Sequence, residues 1–139
     1  MKQRLATIAV ATRGPGLYPF TDQARRVVRD ADFANGLLTC FIRHTSASLL
    51  IQENADPDVL ADLESFMRRI VSRDPGLYRH TTEGPDDMPS HIRSALTATS
   101  LSVPVQNRDL ALGIWQGLYV FEHRDHPHTR EVILHAIGE

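Results

Sequence analysis

Residues 101–137, LSVPVQNRDLALGIWQGLYVFEHRDHPHTREVILHAI, decide the fold. Three runs within it, LSVPVQ (101–106), ALGIWQGLYVFEH (111–123) and REVILHAI (130–137), carry the β-branched and aromatic density of strands. The connections between them are short. A parallel pair needs a crossover of roughly a dozen residues or more, so these strands must lie antiparallel.

Upstream, residues 3–12 alternate in a β-compatible pattern that the turn RGPG (13–16) ends. Thr21 is predicted to cap a helix with Ala24, Val27, Val28 and Ala31 on one face and Arg25, Arg26 and Arg29 on the other. Asn35-Gly36 closes it. Residues 37–43 read as a strand, and HTSASLLIQEN (44–54) as a turn into a second strand ending near Glu53. The clearest helix follows, with Asp56 as N-cap and Pro57 at its first position. Its predicted apolar face is Val59, Leu60, Leu63, Phe66, Met67, Ile70 and Val71, and Asp74-Pro75-Gly76 stops it. Residues 76–88 read as a polar loop, after which Pro89 starts a short helix containing Ile92, Ala95 and Leu96. Strands with segregated helices give an α+β fold of mostly antiparallel sheet, a single domain over 1–139.

The chain has 139 residues and a formal charge of −2, and Lys2 is its only lysine, so no basic stripe exists to track nucleic acid. The one cysteine, Cys40 in LLTCFI, cannot close an internal disulfide and reads as a small buried hydrophobe. No signal-peptide pattern opens the chain and no apolar run is long enough to span a bilayer, which predicts a soluble, cytoplasmic protein without a membrane partner. Walker loop, dinucleotide fingerprint, nucleophile elbow and zinc-finger cysteine spacing are all missing.

Chemistry concentrates on histidines. His44 ends a strand and precedes Thr45 and Ser46, whose hydroxyls can bond a phosphate or a water. It shares a strand face with Leu38, Cys40 and Ile42, so a half-buried histidine satisfied by a carbonyl is the competing reading. His80 opens the polar loop, as a ligand or as plain surface. His91 falls in the first turn of a helix started at Pro89, where the helix dipole favours the neutral imidazole that a metal or an anion-binding site needs. Glu53, Asn54 and Asp56 follow the second strand, and Glu83, Asp86 and Asp87 lie in the loop. Such carboxylates orient imidazoles, act as bases or bind hard cations, although Asp56 is explained as a cap and the loop acids equally by solvation. Trp115, between Gly113 and Gly117 beside Gln116, reads either as core or as a ligand contact. His123, Arg124, His126 and His128 are a rival metal or anion cluster, or simply a surface hairpin tip.

HTSASLLIQEN (44–54), YRHTTEGPDDMPSHI (78–92) and LGIWQGLYVFEHR (112–124), in this order and across nearly the whole chain, resemble the YjbQ family, also called the secondary thiamine-phosphate synthase family. The resemblance implies a compact α+β protein assembling as a homotrimer, with the shared histidines near subunit boundaries. It implies that His44, His80 and His91 form a metal-binding or catalytic centre for zinc or magnesium, with Glu53 as a further catalytic group. It places Glu53, Asn54, Asp86 and Arg130 close by, and together with the readings above makes Thr45, Ser46, Asn54, Asp86, Trp115, Gln116, Arg124 and Arg130 the candidate contacts to a phosphorylated small molecule. The implied activity is a weak thiamine-phosphate synthase reaction, joining a pyrimidine methyl diphosphate to a thiazole phosphate. Two positions depart from the family pattern: Ile114 stands where threonine is common, and Arg108 or Asp109 where a turn glycine is.

Three functions are then in competition: a metal-assisted transferase on phosphorylated thiamine precursors, a metal-dependent phosphate-ester hydrolase, and a trimeric binding protein whose histidines hold a structural metal. A departing diphosphate needs positive charge, for which Arg124 and Arg130 are the candidate clamp.

Overall fold

The computed structural model describes residues 1–139. Eight strands and three helices follow in the order β1 (Lys2–Thr12), β2 (Gly16–Pro19), α1 (Thr21–Ala31), β3 (Gly36–Ile42), β4 (Ala47–Glu53), α2 (Pro57–Ile70), α3 (Asp87–Leu96), β5 (Ser100–Gln106), β6 (Asp109–Leu110), β7 (Gln116–Glu122) and β8 (His128–Gly138). They build two sheets, β1-β8-β3-β5-β6 and β2-β7-β4, in which every pairing is antiparallel. The late strands β5, β7 and β8 are antiparallel to their partners but are not partners of one another: β5 pairs with β3 and β6, β7 with β2 and β4, and β8 with β1 and β3, so the short connections carry the chain from one sheet to the other.

Between the sheets lies one core, where Val10, Leu38, Cys40, Ile42, Val103, Val132 and Leu134 from the larger sheet meet Ala47, Leu49, Leu118 and Val120 from the smaller. The α1 face of Ala24, Val27, Val28 and Ala31 joins it as its spacing predicts. Helices α2 and α3 pack instead along the smaller sheet, α2 on β2 and β4, and α3 on β4. Gly36 is required at the β3–β8 contact, since a Cβ there would run into the carbonyl of Ile137. No helix is long and apolar enough to cross a membrane.

Four expectations need correction. Thr21 does not cap α1 but is its first residue, and its Oγ1 accepts the Leu118 N–H at 2.9 Å. The stretch Gly16–Pro19 is a short edge strand on β7. The α2 face is only partly inside: Asp56 caps it through Asp58 N–H at 2.9 Å, yet Phe66 and Ile70 stay about half exposed while Glu64 is buried. Finally, α3 starts at Asp87, two residues ahead of Pro89. Proline is tolerated anywhere in a first turn, because those N–H groups lack intrahelical acceptors. His91 thus sits in the second turn, and the helix-dipole argument does not apply to it.

Candidate metal centre

Asp87, at the start of α3 and 2% exposed, holds the centre together. Its Oδ2 lies 2.6 Å from His80 Nε2 and 3.0 Å from His91 Nε2, and its Oδ1 lies 2.8 Å from an Arg124 guanidinium nitrogen. Asp87 and His91 are four residues apart, one helical turn on the same face. His80 comes from the preceding loop, its ring 5.5 Å from that of His91. One ligand atom from each of the three residues lies within 4.8 Å of the others.

The hydrogen bonding of His91 fixes its tautomer. Its Nδ1 lies 2.8 Å from the carbonyl oxygen of Thr45, which can only accept, so Nδ1 carries the proton. Nε2 then faces a carboxylate oxygen 3.0 Å away. Two acceptors hold that distance only with a cation between them, a proton or a metal ion. An Nδ1–H donated to a backbone carbonyl is the usual support of a ligating histidine. Burial would raise the Asp87 carboxyl, but the His80 hydrogen bond and the charges of His91 and Arg124 hold it below the usual range.

Asp86 braces this arrangement. It accepts Arg124 Nε at 2.8 Å and Asp125 N–H at 3.0 Å, tying the β7–β8 connection to the start of α3. Although burial opposes it, these bonds bring its carboxyl down to about 2. Arg124 is accordingly committed to two carboxylates. Arg130 is committed as well: 4% exposed, it places Nε at 2.7 Å and Nη2 at 2.6 Å from Glu122, and Nη2 at 3.0 Å from Ser46 Oγ.

His44 stands outside the group. Its Nε2 accepts Glu131 N–H at 2.8 Å and its Nδ1 lies 3.4 Å from Arg130 Nη1, so both nitrogens face β8. Burial, then the Arg130 charge, keeps its pKa below the ordinary value. With Thr45, His91, Ser94, Ala95 and Thr99 it lines an open cleft of about 260 Å³. Thr45 acts on the centre through its carbonyl.

Glu53, Asn54, Trp115 and Gln116 lie elsewhere. The β4–β7 ladder pairs Ala47 with Glu122 at one end and Glu53 with Gln116 at the other, six residues or about 20 Å away. Asn54 and Gln116 line the largest cavity, about 590 Å³, with Thr21, Gln23, Arg25 and Tyr119. Within one chain, the residues named from the sequence fall into two groups at opposite ends of the smaller sheet. Trp115 is 61% exposed on the turn before β7, so the core reading of it fails.

The rival cluster also separates. His123 is buried, with Nε2 2.9 Å from Ser48 Oγ, its ring 4.6 Å from Phe121 and its Nδ1 unpartnered, so it is not part of a surface tip. Burial, assisted by the Arg93 charge, pushes its pKa down to about 3 from the ordinary 6.5. Between those values the unfolded chain binds one more proton than the folded one. Stability from this group is complete above about pH 6.5 and falls by about 1.4 kcal/mol per unit as the pH drops. His123→Gln is expected to flatten this slope in urea denaturation series run between neutral and mildly acidic pH. An unchanged slope would assign the acid sensitivity to other groups.

In the sequence Asp87 reads as one of three loop acids. Its spacing of four from His91 is the available signal, hidden by placing the helix start at Pro89.

The family model for UPF0047 protein YjbQ-like matches residues 6–139. A UPF0047 protein of Synechocystis sp. is 53% identical over 99% of this chain and 94% of its own length. UPF0047 protein YjbQ of Escherichia coli O157:H7 is 42% identical, covering 96% of each chain. The crystal structure of a YjbQ/UPF0047 family protein from Clostridium acetobutylicum aligns with a TM-score of 0.87 at 30% identity, over 95% of this chain and 99% of that one. A conserved hypothetical protein from Thermus thermophilus gives 0.85 at 30% identity with the same coverage. With the motifs, two-sheet fold and full-length matches in agreement, this chain belongs to the UPF0047 family of YjbQ-like proteins.

Proposed function

We propose that His80, Asp87 and His91 bind a divalent cation, zinc in preference to magnesium, and that the centre acts on a phosphorylated small molecule. The carrying observation is the convergence of His80 Nε2 and His91 Nε2 on one oxygen of a buried carboxylate, with His91 oriented through Nδ1 by the Thr45 carbonyl. Two imidazoles and one carboxylate are a donor set that zinc favours and that leaves room for a substrate, whereas magnesium prefers oxygen donors and water. When bound, such a cation supplies positive charge to a phosphate or to a departing diphosphate. Arg124 and Arg130 are neutralised by Asp86, Asp87 and Glu122, so the phosphate has no free guanidinium clamp among the residues expected to supply one.

The transfer that fits the family resemblance is of the thiamine-phosphate synthase kind, with His44 and Thr45 lining the approach to His91. Hydrolysis of a phosphate monoester is the second reading, favoured by this same shortage of free positive charge. Self-association into a homotrimer is supported by large apolar side chains left exposed on one face of the larger sheet: Leu5, Leu37 and Phe41.

Elemental analysis of protein purified without an affinity tag is expected to find about one zinc per chain, as one three-residue centre would hold. Release of phosphate from a panel of phosphorylated metabolites would select the hydrolase over the transferase. Metal that stabilises the fold while no phosphorylated compound is turned over would leave a binding protein.

A further inference from the structure

Glu83 offers a carboxylate that the three-residue metal centre leaves out. Its Oε2 lies 3.9 Å from His80 Nε2, the same nitrogen that Asp87 Oδ2 approaches to 2.6 Å, and the Glu83 side chain is 65% exposed. No lysine or arginine pairs with it. An imidazole nitrogen carries one proton at most and Asp87 has the short contact, so two carboxylates converge where a proton serves only one. The backbone of Glu83 is fixed, by contrast. Its carbonyl accepts Arg124 Nη2 at 3.2 Å, and Gly84, with φ at 106°, turns the chain so that its own carbonyl accepts Asp87 N–H at 3.4 Å. The Glu83 side chain is thereby tethered at the edge of the centre while remaining free to rotate.

We infer that Glu83 is a displaceable fourth ligand, which closes the centre at rest and gives up its place to a phosphate oxygen. The inference rests on the function proposed above, in which His80, Asp87 and His91 hold zinc. Ligand atoms about 2.1 Å from a tetrahedral zinc stand roughly 3.4 Å from one another. The contacts of 2.6, 3.0 and 3.9 Å around His80 Nε2 and Asp87 Oδ2 bracket that spacing. Glu83 lies outside the group that His80, Asp87 and His91 form, so it joins by turning its side chain. Charge favours the turn. Two neutral imidazoles and the Asp87 carboxylate leave a divalent cation with one net positive charge, which a second carboxylate cancels, while Arg124 is already committed to Asp86 and Asp87. Asp87 cannot be the ligand that exchanges, because it is buried and held by Arg124 through its other oxygen. An exposed side chain such as that of Glu83 changes rotamer within roughly nanoseconds. With Glu83 on, the centre has the four protein ligands of a closed zinc site; with Glu83 off, it has the three of an open one. An incoming phosphate restores the neutrality that Glu83 gives up and an uncharged ester does not, so the exchange selects anions.

Glu83→Ala removes an exposed side chain, so folding is not at stake. Closure by Glu83 and entry of phosphate compete for one position, and a single equilibrium therefore sets both effects. The variant should bind zinc about 10-fold more weakly and, once loaded with zinc, should bind inorganic phosphate more tightly by that same factor. Competition against a chromophoric chelator reads the first and titration calorimetry the second. Both factors should persist at high salt, where a through-space effect of the lost charge would be screened. Wild-type zinc affinity in Glu83→Ala overturns the inference. Weaker zinc binding without tighter phosphate binding does so too, since Glu83 would then be a permanent ligand, as does the collapse of both factors at high salt. Loss of zinc in Asp87→Ala with full retention in Glu83→Ala leaves the three-residue centre standing without its fourth ligand. Full-length wild-type protein that binds no zinc overturns the centre and the inference together.

Discussion

Asp87→Ala is expected to lower zinc affinity by about 100-fold or more, since changing even a residue that only orients a metal ligand costs about 10–100-fold. Asp87 both donates an oxygen to the group and orients the two imidazoles, each within 3.0 Å of its Oδ2. Its Oδ1 is held by Arg124, so the carboxylate cannot rotate away. Competition against a chromophoric chelator measures the loss. His126→Ala and His128→Ala serve as controls: His128 Nδ1 is bonded to the His126 carbonyl at 2.6 Å, and His123 is buried on Ser48, so these histidines do not form a common centre. Wild-type zinc affinity in Asp87→Ala, with loss in the controls, would move the site to the β7–β8 connection.

The fold was legible where local chemistry and tertiary environment agree. Asp56-Pro57 starts α2 because cap and proline satisfy the same backbone requirement that the folded helix has. The β-branched and aromatic density of β7 and β8 marks them as strands, although their short connection does not pair them: β7 lies in the smaller sheet and β8 in the larger, each antiparallel to other partners. By contrast β2, four residues with glycine and proline at its ends, has no periodicity of its own and becomes a strand only because β7 offers it an edge. The exposure of Phe66 and Ile70 was equally hidden, since helical periodicity marks an apolar face without saying what covers it.

The centre was legible in part. His80 and His91 meet as expected, while His44 is turned onto the backbone of β8, a contact between residues 87 positions apart that no local pattern encodes. Arg124 and Arg130 were read as a phosphate clamp because an arginine near histidines suggests an anion. Their carboxylate partners, Asp86, Asp87 and Glu122, come from the start of α3 and from the end of β7. Charge in a sequence does not say which opposite charge it will meet, and here both guanidinium groups are paired inside the protein.

Glu122→Ala is expected to destabilise the protein by about 3–5 kcal/mol, the cost of leaving one member of a buried ion pair alone. Glu122 is fully buried and accepts five hydrogen bonds: Arg130 Nε and Nη2, Thr12 Oγ1 at 2.6 Å, and the N–H groups of His123 and Arg124 at 3.0 and 3.2 Å. Burial raises its carboxyl, but Arg130 and Thr12 outweigh this and hold it below 4.5, so its contribution is present at neutral pH and is lost in acid. Replacing both partners with apolar residues, Glu122→Leu with Arg130→Met, should recover much of the lost stability in urea denaturation, because no unpaired charge is then buried. The double variant should nevertheless leave the His44 segment loose: Arg130 Nη2 lies 3.0 Å from Ser46 Oγ and 3.3 Å from the Ser46 carbonyl oxygen, and Nη1 faces His44. Thr45, whose carbonyl orients His91, lies in that same segment. Recovered stability with weakened zinc binding would mean that the buried pair shapes the centre; recovery of both would reduce it to a structural strut.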